Sequence, residues 1–146
     1  MHKKKILTKI SALKGHQKKE IEIEFKKISD IVDYEKSKLE QLELDYSKMM
    51  DDFHKKSADG SMSIDGINSF HANFEYIGTQ ISNQQKVIAR CNKELVDIKN
   101  LLLNAHKDEK VFEILTEKEV KKEKKEVADR EQKDNDFFAI SRKMYL

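Results

Sequence analysis

Five histidines, one cysteine and 27 carboxylates are the first side chains of this sequence to weigh for holding a metal or for acid, base or nucleophilic chemistry. Their spacing argues against each role. His2, His16, His54, His71 and His106 form neither a His-x₃-His nor a His-Glu-x₂-His pattern, so no helical turn offers two ring nitrogens to one ion. They read as solvated residues flanking apolar rows. Cys91 falls inside such a row and reads as packing, because thiolate chemistry needs an electropositive, partly open surrounding. The carboxylates lie among lysines, with no isolated pair suited to acid–base work. A glycine-rich phosphate loop is missing, and only four glycines occur in the chain. The expectation is no enzyme, no cofactor, no metal and no catalytic residue.

The lysines are different, because their charge is unbalanced. Residues 1–19 contain Lys3, Lys4, Lys5, Lys9, Lys14, Lys18 and Lys19 and no acid, although the whole chain is only +2. This block is either a solvated helix end or a patch for anionic lipid, nucleic acid or an acidic protein. Basic charge at a helix N-terminus opposes the macrodipole, which argues for a compensating partner. No aromatic residue interleaves with these lysines, and nucleic-acid binding is not expected.

Long helices must position these residues. The 146 residues include no proline, and charged and hydrophobic residues make up 38% each. About seven prolines would be usual, so turn-rich β folds and compact α/β enzymes are excluded. One cysteine allows no internal disulfide and fits a reducing compartment. No run of 18 apolar residues is present to span a membrane.

Apolar periodicity then gives the architecture. Ile21, Phe25, Ile28, Val32, Glu35, Leu39, Leu42, Tyr46, Met49 and Phe53 alternate steps of four and three, a heptad seam. Ile6, Ile10, Leu13 and Gln17 extend it, but the step from Gln17 to Ile21 repeats a four and predicts a local stutter. The first helix is expected over about 5–56, on the order of 75 Å long. Turn residues gather at 57–63, where Gly60 suits positive φ and Ser63 suits an N-cap ahead of Asp65. A second seam runs faultlessly from Ile67 through Phe70, Phe74, Ile77, Ile81 and Gln84 to Phe112, predicting a helix over about 64–140. Two long helices joined by a short loop make an all-α, antiparallel coiled-coil hairpin, here one unit over 1–146.

The turn sets the register. If Phe53 and Ile67 flank it, Tyr46 meets Phe74, Leu39 meets Ile81, and the polar Glu35 falls opposite Gln84. That pair either forms a buried layer that fixes register or snorkels at the seam edge. Phe70 and Phe74 read as seam, whereas Tyr76 lies off it and is exposed. Helix 1 runs out opposite residues near Leu115, leaving about 116–146 unpaired. Within 117–134, fourteen of eighteen residues are charged, seven of each sign. Phe137, Phe138 and Ile140 follow, then Met144, Tyr145 and Leu146, with nothing in the chain to cover them.

Over about residues 6–143 the chain resembles the FliJ family of flagellar type III export proteins. The resemblance rests on Lys18-Lys19-Glu20, Leu39-x₂-Leu42-x₃-Tyr46, the Gly60 turn and Phe70-x₃-Phe74-x₂-Ile77-x₃-Ile81-x₂-Gln84. Lys107-x₂-Lys110-x₄-Leu115 and Arg130-Glu131-Gln132-Lys133 complete it. Asp136-Phe137 stands where the family tends to an acid pair, and leucines at 101–103 where it tends to tryptophan.

The resemblance implies a stalk similar to the γ subunit of rotary ATPases, and an export chaperone or escort. Its expected partners are the hexameric export ATPase and its regulator, the transmembrane export gate protein, and substrate-specific export chaperones. Carried over by position, Phe74, Ile77, Gln80 and Gln84 are gate-binding candidates. Lys3, Lys4, Lys5, Arg130, Phe137, Phe138 and Ile140 are candidates for binding the ATPase or another partner. The implied location is cytoplasmic, peripheral to the inner-membrane export apparatus, in a protein serving motility. A related injectisome stalk, a generic coiled-coil scaffold and a basic membrane- or nucleic-acid-associated protein are the alternatives.

Overall fold

The structure, a computed structural model, describes residues 2–145, with side chains described as far as Met144. Two helices account for nearly all of it. Helix α1 spans His2–Ala58 and α2 spans Ile64–Tyr145, packed against each other without any strand among the described residues. The fold is an all-α helical hairpin.

Local chemistry explains where the helices stop and start. Lys55 and Lys56 occupy the last turn of α1, where positive charge favours the negative end of the helix dipole. Asp59 N donates to Lys55 O at 3.2 Å and Gly60 N to Ser57 O at 3.3 Å. Gly60 then takes φ 64°, a left-handed conformation that a β-carbon would strain. Ser63 caps α2: its Oγ accepts from Gly66 N at 3.0 Å, and Asp65 supplies the acid of the first turn.

By packing, the chain divides into two units, Ile23–Asn100 and Met1–Glu22 with Leu101–Leu146. In the first, the turn unit, the expected seam positions from Phe25 onward face inward except Ile67. Val32 and Ile88 are the most buried, at 3% and 9% exposure. Tyr46 and Phe74 meet edge to face at 5.5 Å, as the register requires. Phe53, expected beside Ile67, instead meets Phe70 at 5.5 Å and Phe74 at 5.9 Å, and Ile67 is exposed. Side chains lean toward the N-terminus of their own helix, which carries Phe53 away from the turn. Each such aromatic pair adds about 0.5–1.5 kcal/mol beyond burial.

In the second, the terminal unit, the inner seam differs from the expected one. Ile6 and Leu13 are exposed, as is Gln17, while Leu7, Ser11, Lys14 and Lys18 are half-buried. These inner positions step 4,3,4 and then 3 to Ile21, so α1 has no stutter. The helix keeps its regular winding, and a serine and two lysines enter the seam in place of apolar residues. The lysines manage it by laying their methylenes along the seam and meeting acids of α2. Lys18 Nζ lies 3.6 Å from Glu109, and Lys14 Nζ lies 3.9 Å from Asp108 and 5.9 Å from the Phe112 ring centre. Opposite leans lengthen the reach of such pairs: Lys4 Nζ contacts Glu123 at 3.6 Å. Contact therefore extends past the point where α1 is expected to run out, through half-buried Thr116, Glu119, Val120 and Glu123.

Candidate functional site

Groups with catalytic potential remain scattered. His16 and His71 each face a glutamate one turn along the same helix, Glu20 at 3.1 Å and Glu75 at 3.2 Å, on exposed surface. Cys91 is a half-buried free thiol. Among the described residues no group of three or more His, Cys, Asp or Glu side chains could hold a metal ion. The Lys26 ammonium is perturbed: its hydrogen bond to Asp30, 2.9 Å long, and then the charge of that carboxylate hold it above its ordinary range. Both are exposed, and the pair is a surface contact.

The gate-binding candidates lie in the turn unit, all on α2. Phe74, Ile77, Gln80 and Gln84 share the inward side and are half-buried. Phe74 is engaged with Tyr46, Phe53 and Phe70. Gln84 Nε2 donates to Glu35 O at 2.9 Å and also to the Glu35 carboxylate, while Lys38 approaches that carboxylate at 3.6 Å. These residues present edges to solvent, whereas Tyr76 projects outward. Tyr34 is also outward, beneath the Lys38 ammonium at 4.6 Å.

The remaining candidates lie in the terminal unit. Lys3 and Lys5 are exposed, and Lys4 is held by Glu123. From 124 to 140 every residue of α2 is exposed although the helix continues unbroken. Arg130 is among them. Phe137 and Phe138 stand 66% and 62% exposed with their rings 6.0 Å apart, followed by bare Ile140 and Met144. Leu146 and the Tyr145 side chain, expected in the same apolar cluster, lie outside the described residues. A charged helix ending in uncovered aromatics has the composition of a surface that buries itself against another molecule.

Sequence reasoning overlooks one row. Assigning Ile6 and Leu13 to the inner seam with Ile10 hides the fact that these two reach the surface. The signal is present in Leu7, Ser11, Lys14 and Lys18, which fit the following heptads without a fault.

Among the described residues no helix is long and apolar enough to cross a membrane. No match was found among curated proteins or among solved structures. The family model described as flagellar FliJ protein matches residues 3–144, nearly the whole chain. By that match the chain belongs to the FliJ family and is a flagellar export-related protein.

Proposed function

We propose that this chain is the coiled-coil stalk of a flagellar type III export apparatus. Its terminal unit binds the hexameric export ATPase and promotes assembly of the ring. Its turn unit, through the α2 face around Phe74, Ile77, Gln80 and Gln84, contacts the transmembrane export gate. The chain also meets the ATPase regulator and escorts substrate-specific export chaperones, working in the cytoplasm at the inner-membrane apparatus. The observation that carries the reading is the helix from 124 to 140, exposed at every residue and leading to bare Phe137, Phe138 and Ile140. Burying two phenylalanines that already stand on a helix is worth about 1.5–3 kcal/mol each, enough to anchor a partner. Energy coupling on this reading comes from unequal contacts with the ring subunits, without chemistry on the stalk itself.

The test is co-sedimentation of the chain with the export ATPase, comparing wild type with Phe137→Ser/Phe138→Ser. Loss of ATPase binding with an unchanged melting transition supports the proposal. Equal binding by the two chains removes its principal support.

A further inference from the structure

The terminal unit carries a second, partly apolar row on each helix, and most of each row is left exposed. On α1, Ile6, Ile10, Leu13 and Gln17 step 4,3,4, one residue before the inner seam. Ile6 and Leu13 are 47% and 53% exposed, and Ile10 between them is half-buried. On α2, Leu101, Asn104, Asp108, Val111 and Leu115 step 3,4,3,4, again one residue before the inner positions 102, 105, 109, 112 and 116. Leu101, Val111 and Leu115 are exposed as well. Successive helical residues turn by about 100°. In an antiparallel pair, the row preceding each inner seam therefore opens on the same face. The two rows form the floor of one groove, and each has the heptad spacing that receives the knobs of another helix.

Charge identifies the occupant. One residue farther out lie Lys5, Lys9, Ala12 and His16 on the α1 side and Leu103, Lys107, Lys110 and Ile114 on the α2 side, all exposed. The four lysines supply the ammonium charges of the two rims. Among the described residues no carboxylate lies within ion-pair distance of these four ammonium groups. Asp108, the one acid in the floor rows, is already engaged by Lys14. The lysine charges on both rims are thus unneutralised. We infer that this groove binds an acidic amphipathic helix of a partner protein, completing a three-helix coiled coil around the terminal unit. Two copies pairing groove to groove would bring like-charged rims together. A bilayer surface calls for an apolar face with aromatic anchors, and these rows contain no aromatic residue. The inference shares Lys5 and the terminal unit with the ATPase reading but uses neither the 124–140 segment nor Phe137 and Phe138. The Phe137→Ser/Phe138→Ser test and the groove test can therefore fail separately.

The test uses the full chain and two synthetic three-heptad helical peptides with leucine at a and d. One carries glutamate at e and g, the other lysine, and binding is followed by fluorescence anisotropy. The expected result is saturable binding of the glutamate peptide that weakens with salt, and at least tenfold weaker binding of the lysine peptide. Ile6→Ser/Leu115→Ser on the floor and Lys5→Glu/Lys9→Glu on a rim should each weaken the glutamate peptide at least tenfold. Circular dichroism of both variants should match wild type. Equal binding of the two peptides, or no binding by wild type, overturns the proposal. So does a sedimentation result in which wild type is dimeric and the floor variant monomeric, since a second copy would then cover the groove. Binding to phosphatidylglycerol vesicles that both variants lose, with no peptide bound, assigns the face to lipid and also overturns it.

Discussion

Gln84 donates from one amide nitrogen to both the main-chain oxygen of Glu35, at 2.9 Å, and the carboxylate of the same residue, across 49 positions of sequence. A side chain that satisfies a main-chain carbonyl of the opposite helix ties the pair to one alignment. A slip of either helix by a turn would remove the donor and leave a half-buried carboxylate facing apolar neighbours. The polar layer thus trades some stability for register.

Removing one partner should cost more than removing both. Gln84→Leu alone is expected to destabilise the hairpin by about 1–3 kcal/mol, since Glu35 loses its amide donor but stays half-buried. Glu35→Leu/Gln84→Leu should recover most of that loss in a thermal melt. Disulfide formation between Glu35→Cys and Gln84→Cys in a Cys91→Ala background should exceed that of pairs displaced by one heptad.

The turn makes a separate prediction. Ser63→Ala removes the acceptor for Gly66 N and should cost about 1 kcal/mol. Gly60→Ala places a β-carbon at φ 64° and should cost about 1–2 kcal/mol. Urea denaturation of the two single variants and of the double variant measures both effects.

Aromatic residues should divide by location. Phe74→Ala disrupts the cluster with Tyr46, Phe53 and Phe70, and about 2–4 kcal/mol of stability should be lost. Phe137→Ala and Phe138→Ala should each shift stability by less than about 0.5 kcal/mol, as expected of exposed positions. A melt in which the Phe137 and Phe138 variants lose as much as Phe74→Ala would mean that the tail packs as core.

The charged seam of the terminal unit should show in local opening. Lys18 and Glu109 occupy inner positions where apolar residues would pack better. Lys18→Leu/Glu109→Leu should slow amide exchange around residues 7–18 and 105–116 by about tenfold, or roughly 1.4 kcal/mol of opening free energy. Exchange around Val32 and Ile88 should not change.

Much of this is legible from residue types alone. The seam from Ile21 to Phe53 and its partner from Phe70 to Phe112 can be read because apolar residues fill almost every inner position. Ser63 and Gly60 are legible because capping and positive φ are local requirements. The terminal unit misleads where apolar type and helical phase disagree. Ile6 and Leu13 look like seam but are exposed, whereas Leu7, Ser11, Lys14 and Lys18 join Ile10 among the half-buried positions. A reading based on hydrophobicity discounts a lysine whose stem lies in the seam while its ammonium meets Glu109. The reach of Lys4 to Glu123 is hidden for a related reason: side-chain lean moves contacts along antiparallel helices, and only coordinates reveal by how much.

The central claim, that the exposed C-terminal helix of the terminal unit engages a partner ATPase, is tested most directly by ring assembly. The fraction of hexameric export ATPase should be measured with no addition, with the full chain, and with a chain ending at Glu123. The account predicts that the full chain raises the hexamer fraction and that the shortened chain, still helical, does not. Equal stimulation by both chains, or none by the full chain together with no detectable binding, would contradict it.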